Sequence, residues 1–326
     1  MPEQRSTLER TSILANVAEM YYWEGKTQDE IAAIIGVTRS MVSRLLTEAR
    51  EKGIIEVRIH RPLLYDYSLE EELGERFDLL SVCVVEITSP REGQLLKYLG
   101  KAGAEMLVNY LTPDKILGLA WGTTISAVID EIEPKMSLPI KIVQLVGALG
   151  ARNNQYDGHG LVQRLIEKVG GEGYFLNAPF ICPTPEIAAS LQETPGVRET
   201  VAMRRKVNLT LAGVGSTSPK FSSFYLAGYV PLEELNQLID AGAVGDVCGL
   251  QFDIKGNEIC DEFCKRLVTI TREDLHAIPI RLGVAGGPGK TEPILGALRG
   301  KYINALTTDN LTARRLLDLD DESRHA

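Results

Sequence analysis

The sequence predicts an α/β protein in two parts, an N-terminal winged helix-turn-helix and a C-terminal doubly wound, Rossmann-like domain. Three observations predict it. Residues 27–50, TQDEIAAIIGVTRSMVSRLLTEAR, carry two helical periods separated by a glycine. Residues 54–60, IIEVRIH, alternate apolar and polar, the pattern of a half-buried strand. From residue 81 onward, short and almost wholly apolar runs alternate with helical stretches, as in a parallel sheet covered on both faces.

The first part is read from the spacing. With Gln28 as position one, Ile31, Ala32, Gly36, Val37, Val42 and Leu45 fall at positions 4, 5, 9, 10, 15 and 18 of a helix-turn-helix. Ala32 is small where two helices cross, and Gly36 occupies the turn, where positive φ is cheap only for glycine. Ile31, Val37, Val42 and Leu45 are expected to form the core between the helices. Thr38, Arg39, Ser40, Ser43 and Arg44 then face outward on the second helix, with groups suited to bases and phosphates in a major groove. The expected partner is double-stranded DNA. An ordinary helical hairpin with a glycine turn is the competing reading, and six matches in register disfavour it. A preceding helix over 7–24 packs on the pair, and Gly53 ends the reading helix. Arg58 and His60 on the following strand either brush phosphates or form a solvated face.

Charge sharpens this picture. The chain has 326 residues, about two domains' worth, 44% of them hydrophobic, and a net charge of −9. Residues 1–62 hold nine basic and nine acidic side chains; the remainder holds 26 basic and 35 acidic. Within 39–61, Arg39, Arg44, Arg50, Lys52, Arg58 and Arg61 outnumber Glu48, Glu51 and Glu56. The locally positive stretch thus coincides with the reading helix, while the acidic bulk would repel DNA. Five cysteines, an odd count in a chain that opens without a signal peptide, point to reduced thiols in a cytoplasm. Cys260 and Cys264 are four apart with no His or Cys pair nearby, so no metal site is expected. No run of about 18 apolar residues exists to cross a membrane.

Arg61-Pro62 marks the boundary after the first domain, residues 1–61. Residues 62–80 are expected to link the domains, with a helix over 68–78 capped by Ser68. The second domain, 81–326, is expected to hold strands at 81–87, 115–121, 140–146, 173–179, 207–214, 278–286 and 302–307. Helices are expected at 92–110, 123–131, 160–169 and 231–239, from 290, and at 309–318. In such sheets ligands sit at the carboxyl ends of strands, over helix N-termini. Four loops have that position. Trp121-Gly122-Thr123-Thr124 offers a glycine and two hydroxyls at a helix start, where a phosphate is favoured; a plain Thr cap is the bland alternative. Gln144 to Gly150, followed by the polar loop 152–159, places Gln144 and the less telling His159 near the same edge. Gly213-Val214-Gly215-Ser216 is a third candidate anion cradle. In the fourth, Asp246 within GDVCG accepts from sugar hydroxyls, and Lys290 closing GGPGK donates to them. Lys290 opposes a helix dipole, which calls for a reason to be there; two unrelated surface charges are the alternative.

These motifs together resemble the SorC branch of the SorC/DeoR-type sugar-binding transcriptional regulators. The resembling pieces are TQDEIAAIIGVTRSMVSRLL, GLAWGTT, VQLVG, GVGS, GAVGDVCGLQFDIKG and VAGGPGK with GALRGKYINALTTDNLTARRLL, so the likeness runs over nearly the whole chain. It implies an effector domain like ribose-5-phosphate isomerase and glucosamine-6-phosphate deaminase. It also implies a homodimeric or homotetrameric repressor, in some members an activator, of a carbohydrate operon, switched by a sugar or sugar phosphate. By motif, Gly122, Thr123 and Thr124 match the phosphate-holding loop, while Gln144, Asp246 and Lys290 match positions lining the sugar pocket. Gly215 and Ser216 match a less fixed position, and Glu292-Pro293 departs from the small apolar residues usual there. The expectation is therefore a cytoplasmic DNA-binding regulator with an allosteric sugar site, no cofactor and no catalytic residues. The alternative is a sugar-phosphate isomerase or deaminase with a DNA-binding appendage, using Lys290 as a Schiff-base amine. No general base stands beside that lysine in the sequence. A redox sensor built on Cys248 or Cys260 ranks last, because nothing flanking them lowers a thiol pKa.

Overall fold

The computed structural model describes residues 2–55, 62–88, 92–133, 138–150, 155–259 and 262–325. The chain divides into two compact units, Met1–Pro62 and Leu63–Ala326.

The first unit holds α1 (Pro2–Tyr22), α2 (Gln28–Ile35) and α3 (Arg39–Glu51). Thr27 starts α2 with a capping box: its hydroxyl accepts from the Glu30 amide, and the Glu30 carboxylate accepts from the Thr27 amide at 2.8 Å. Gly36 ends α2 at φ 73°, the left-handed turn the spacing required. Thr38 then caps α3, accepting from the Met41 amide at 3.3 Å. Leu14, Val17, Ile31, Ala32, Val42, Leu45, Leu46 and Ala49 form one buried cluster. Val37 corrects the expected core list: it is 36% exposed. Its amide bonds back to the Ala32 carbonyl, so it lies in the turn itself, and Leu46 and Ala49 of α3 complete the core. Of the expected strand 54–60, only Ile54 and Ile55 are described, and both pack on this cluster. Arg58, His60 and Arg61 lie outside the described residues.

The second unit begins with α4 (Tyr67–Phe77). Asp66, not Ser68, caps it, through a bond from the Leu69 amide. Leu69 and Leu73 are buried in the core of this unit, so the helix packs on the body of the sheet domain. There follow β1 (Ser81–Val85), α5 (Glu92–Tyr110), β2 (Ile116–Leu119), α6 (Thr123–Glu131), β3 (Lys141–Gln144), α7 (Gly158–Val169) and β4 (Glu172–Tyr174). Next come α8 (Pro185–Gln192), α9 (Pro195–Arg204), β5 (Leu209–Gly213), α10 (Ser223–Leu226), α11 (Leu232–Asp240), β6 (Gly245–Val247) and β7 (Leu250–Phe252). The unit closes with α12 (Glu262–Lys265), α13 (Arg272–His276), β8 (Ile280–Val284), α14 (Thr291–Arg299), β9 (Ala305–Asp309) and α15 (Asn310–His325).

Seven strands form one sheet in the order β1-β9-β8-β5-β2-β3-β4, every pair parallel. Adjacent residues on a strand face opposite sides, so Ile142 and Val143 of β3 enter different apolar clusters, as expected when both faces are covered. From β2 the chain steps outward to β3 and β4; from β5 it steps the other way to β8 and β9. The direction reverses between β2 and β5, which opens a crevice at their carboxyl ends. The strand expected at 173–179 is only three residues long, and the one expected at 302–307 begins at Ala305. The short β6–β7 pair is an antiparallel hairpin apart from the main sheet.

Leu73 is fully buried. Leu73→Ala is expected to destabilise the second unit by about 2–5 kcal/mol, the range for a leucine truncated in a packed core. Denaturant unfolding checks this, and a loss below about 1 kcal/mol would mean that α4 is not docked.

Candidate functional site

On α3 the helical period turns Val42, Leu45, Leu46 and Ala49 inward. Ser40, Ser43 and Arg44 are exposed on the opposite side, as the spacing required. The Thr38 hydroxyl is engaged as the cap and lies 3.0 Å from the Ser40 hydroxyl. Arg39 sits toward α2, 3.8 Å from the Asp29 carboxylate; both are largely in water, so this pair holds it weakly. Thr47 was not singled out in the sequence. It follows Ser43 by one turn on the same outward face, and its hydroxyl donates to the Ser43 carbonyl at 3.1 Å. Its methyl group is left for the outside. The i, i+4 step from Ser43 is the signal that could have found it. Glu48 is held against α1 and the end of α3 by Arg10 and Lys52, and the Arg10 guanidinium brings its carboxyl down to about 2.

In the second unit the four strand-end loops lie side by side, because β8, β5, β2 and β3 are neighbours. After β2, Gly122 adopts φ 126° and its amide donates to the Tyr156 carbonyl at 3.0 Å. No side chain caps α6, so the amides of its first turn, which Thr123 and Thr124 open, are left uncovered by a cap. Trp121 packs on Phe224, ring centroids 5.4 Å apart, and forms an aromatic wall behind the turn.

After β3 the structure departs from expectation. Gln144 is fully buried, and both ends of its amide bind backbone: Nε2 donates to the Val146 carbonyl at 2.8 Å, and Oε1 accepts from the Leu176 amide at 3.1 Å. It braces the loop and does not line the pocket. Sequence spacing places a residue at a strand end but cannot say which backbone groups will claim its amide. Asp157, another residue the sequence reading passed over, ties the same loop down. Its carboxylate accepts from the Leu149 amide at 3.1 Å and from the Gly158 amide at 2.9 Å. The His159 ring packs on Phe175 at a tilt of 31°, centroids 4.3 Å apart, and the residue is exposed.

After β5 the candidate residues converge. Gly215 has no Cβ for a reason: one placed there would meet Asp246 Oδ1 at 1.8 Å. Ser216 beside it is buried and accepts from the Ser218 amide. Asp246 stands on β6, before a two-residue turn in which Cys248 (φ 56°) and Gly249 (φ 81°) are both left-handed. That is the signature of a type I′ hairpin. The Gly249 amide donates to Asp246 Oδ2 at 2.9 Å. Lys290 reaches back from the start of α14 and donates to the Val214 carbonyl at 2.7 Å. The Asp246 carboxylate, packed against Gly215, and the Lys290 ammonium, bound to the Val214 carbonyl, thus both stand at the end of β5. Burial pushes the Asp246 carboxyl up to about 6, against the pull of the Gly249 amide and Lys290. Burial draws Lys290 down, and Asp246 opposes that. The GGPG turn before Lys290 is pinned by Asp309, whose Oδ2 accepts from the Gly287 amide at 2.8 Å. Asp309 is almost fully buried and is another support the sequence reading did not isolate.

Among the described residues, no group of three or more His, Cys, Asp or Glu side chains could hold a metal ion. Burial pushes the thiols of Cys83 and Cys248 up to about 12, the opposite of a reactive thiolate. Cys260 lies outside the described residues. No helix among the described residues is long and apolar enough to cross a membrane.

A helix-turn-helix unit joined to an α/β domain, with a polar crevice at its switch point, defines the class of ligand-responsive DNA-binding regulators. The comparisons with known proteins agree. The "Sugar-bind" domain family matches residues 61–318, and the helix-turn-helix of sigma-70 region 4 matches residues 15–52. The chain is 30% identical over 311 residues to the deoxyribonucleoside regulator of Bacillus subtilis, covering 95% of this chain and 98% of that one. It is 27% identical to the sorbitol operon regulator of Klebsiella pneumoniae, covering 94% and 97%. The crystal structure of the full-length sorbitol operon regulator SorC from Klebsiella pneumoniae superposes with a TM-score of 0.71 at 26% identity, over 95% of this chain and 99% of that one. The chain belongs to the sugar-binding domain family of SorC/DeoR-type transcriptional regulators. It is a DNA-binding regulator and not an enzyme.

The raised Asp246 carboxyl sets a pH dependence of stability. Its folded-state pKa lies above its unfolded value, so its stabilising effect is present below the ordinary carboxylate range and is lost as pH rises through about 6. Asp246→Asn is therefore expected to match the native protein near pH 4. At pH 7.5 it should be more stable by on the order of 1 kcal/mol, a few degrees in Tm. Thermal melts across that range check the sign; a less stable variant at pH 7.5 would mean that pairing with Lys290 outweighs the burial.

Proposed function

We propose that this protein is a cytoplasmic repressor of a carbohydrate-utilisation operon, released from its operator by a phosphorylated sugar. The observation that carries the reading is the strand-end geometry: an uncapped helix start follows β2, and Asp246 and Lys290 both stand at the end of the neighbouring β5. The phosphate is assigned to Gly122, Thr123 and Thr124, where exposed amides and the helix dipole favour an anion. The sugar's hydroxyl or carbonyl groups are assigned to Asp246 and Lys290, with Gly215 and Ser216 at its edge. Gln144 supports the loop from behind.

On the DNA side, Ser40, Ser43 and Arg44 reach base edges, while Thr38 and Arg39 sit nearer the backbone. The protein acts as a homodimer or homotetramer, so that paired reading helices enter major grooves about 34 Å apart. The effector must bind the two arrangements unequally, with a coupling of about 1–3 kcal/mol. Two relatives are named as regulators of a sorbitol operon and of deoxyribonucleosides, which is in keeping with a carbohydrate-related signal.

The decisive measurement is fluorescence anisotropy on DNA from upstream of the protein's own gene, at fixed salt, with a panel of free and phosphorylated sugars. Release by one phosphorylated sugar and not by its unphosphorylated parent is the expected result. Arg44→Ala is expected to weaken operator binding by about 1–3 kcal/mol, roughly 5- to 150-fold, with effector binding intact. Lys290→Ala is expected to keep operator binding and lose release. Unchanged operator affinity in the first variant, or normal release in the second, would overturn the corresponding assignment.

A further inference from the structure

Arg204, the last residue of α9, is 2% exposed. Its Nη1 donates to the Thr269 carbonyl at 2.9 Å. Among the described residues its Nε and Nη2 have no hydrogen-bond partner. A buried guanidinium so poorly matched is expensive, and an apolar side chain of similar length would fill the space at lower cost. Its value must lie in what it holds. The Thr269 hydroxyl donates to the Cys248 carbonyl at 2.5 Å. Cys248 is the first residue of the left-handed turn, and the next residue, Gly249, gives its amide to Asp246 Oδ2. The segment carrying Thr269 is itself anchored, since the Val268 amide donates to the Phe180 carbonyl and its carbonyl accepts from the Gly147 amide. Arg204, Thr269, the Cys248–Gly249 turn and Asp246 therefore form one continuous line from α9 to the crevice.

We propose that Arg204 is a positioning residue for the crevice, fixing the β6–β7 turn through Thr269 and thereby setting where the Asp246 carboxylate points. Arg204 touches no effector in this scheme; it acts on the residue that does. The proposal rests on the reading of Asp246 as an effector contact. It reaches beyond that reading, because it assigns the aim of the carboxylate to a residue of α9 that the sequence motifs do not include. The titratable groups acting with Asp246 are the Lys290 ammonium and the Cys248 thiol, which burial keeps neutral; the Gly249 amide is the donor the turn controls.

The test follows the Asp246 carboxyl directly, by its 13C chemical shift against pH in full-length protein labelled at aspartate, with the signal assigned by its loss in Asp246→Asn. No effector is needed. In native protein the midpoint is expected near 6. Thr269→Val removes only the hydroxyl, frees the turn and lengthens the Gly249 bond, so the midpoint is expected to rise by about half a unit or more. Arg204→Met should do the same, and Arg204→Lys, which can still donate to the Thr269 carbonyl, should bring it most of the way back. An unchanged midpoint in a Thr269→Val protein of native melting temperature would overturn the proposal and leave Arg204 as packing alone. If Arg204→Met does not fold, Thr269→Val decides the matter. Failure of the effector reading would look different: operator release that survives Asp246→Asn, whatever the titration shows.

Discussion

Enclosing the Asp246 carboxylate beside the Lys290 ammonium is the constraint around which the second unit is arranged. A carboxylate taken out of water is costly unless something replaces the lost hydration. Here the replacements come from three directions. The Gly249 amide is supplied by a left-handed turn, the Lys290 charge acts from the start of α14 while its ammonium binds the Val214 carbonyl, and Gly215 leaves room by having no Cβ. Each of these depends on a different connection, so the arrangement exists only when β5, the β6–β7 hairpin and β8 are all in place. The geometry at the end of β5 thus depends on the integrity of the whole fold.

The same arrangement explains why the supports matter as much as the contacts. Gln144, Asp157, Asp309 and Thr269 touch loops, and each satisfies backbone groups that would otherwise be buried without partners. Glycine-rich turns such as GGPG have little rigidity of their own, and these side chains give them one shape. A regulator needs that rigidity, because a loop that adapts equally to both states would transmit no preference between them.

Much of the fold was legible because it rests on local periodicity. The 3.6-residue period marked α2 and α3, Gly36 marked their turn, and the apolar runs marked β1, β2, β3, β5 and β8. Asp246 and Lys290 were legible as candidates, since both lie at strand or helix ends in glycine-rich loops. Val37 was misplaced because its position in the repeat says little about the direction of a side chain leaving a left-handed residue. Gln144 was placed at the correct edge with the wrong role. The β6–β7 hairpin read as a loop because its two strands are three residues each, too short for alternation to show. Cys248 also gave no hint of a positive φ, a conformation that few non-glycine residues adopt.

By itself the sequence determined the two helices parted by Gly36, the outward face of the second, and the all-parallel character of the sheet. These follow from spacing along the chain, which is a local property. Only the tertiary structure decided the strand order, and with it the reversal between β2 and β5 that opens the crevice. It also decided which polar side chains are spent on backbone, Gln144 and Asp309 among them. Those outcomes depend on contacts between residues far apart in sequence, such as Arg204 with Thr269 and Gly287 with Asp309, and no periodicity along the chain encodes them.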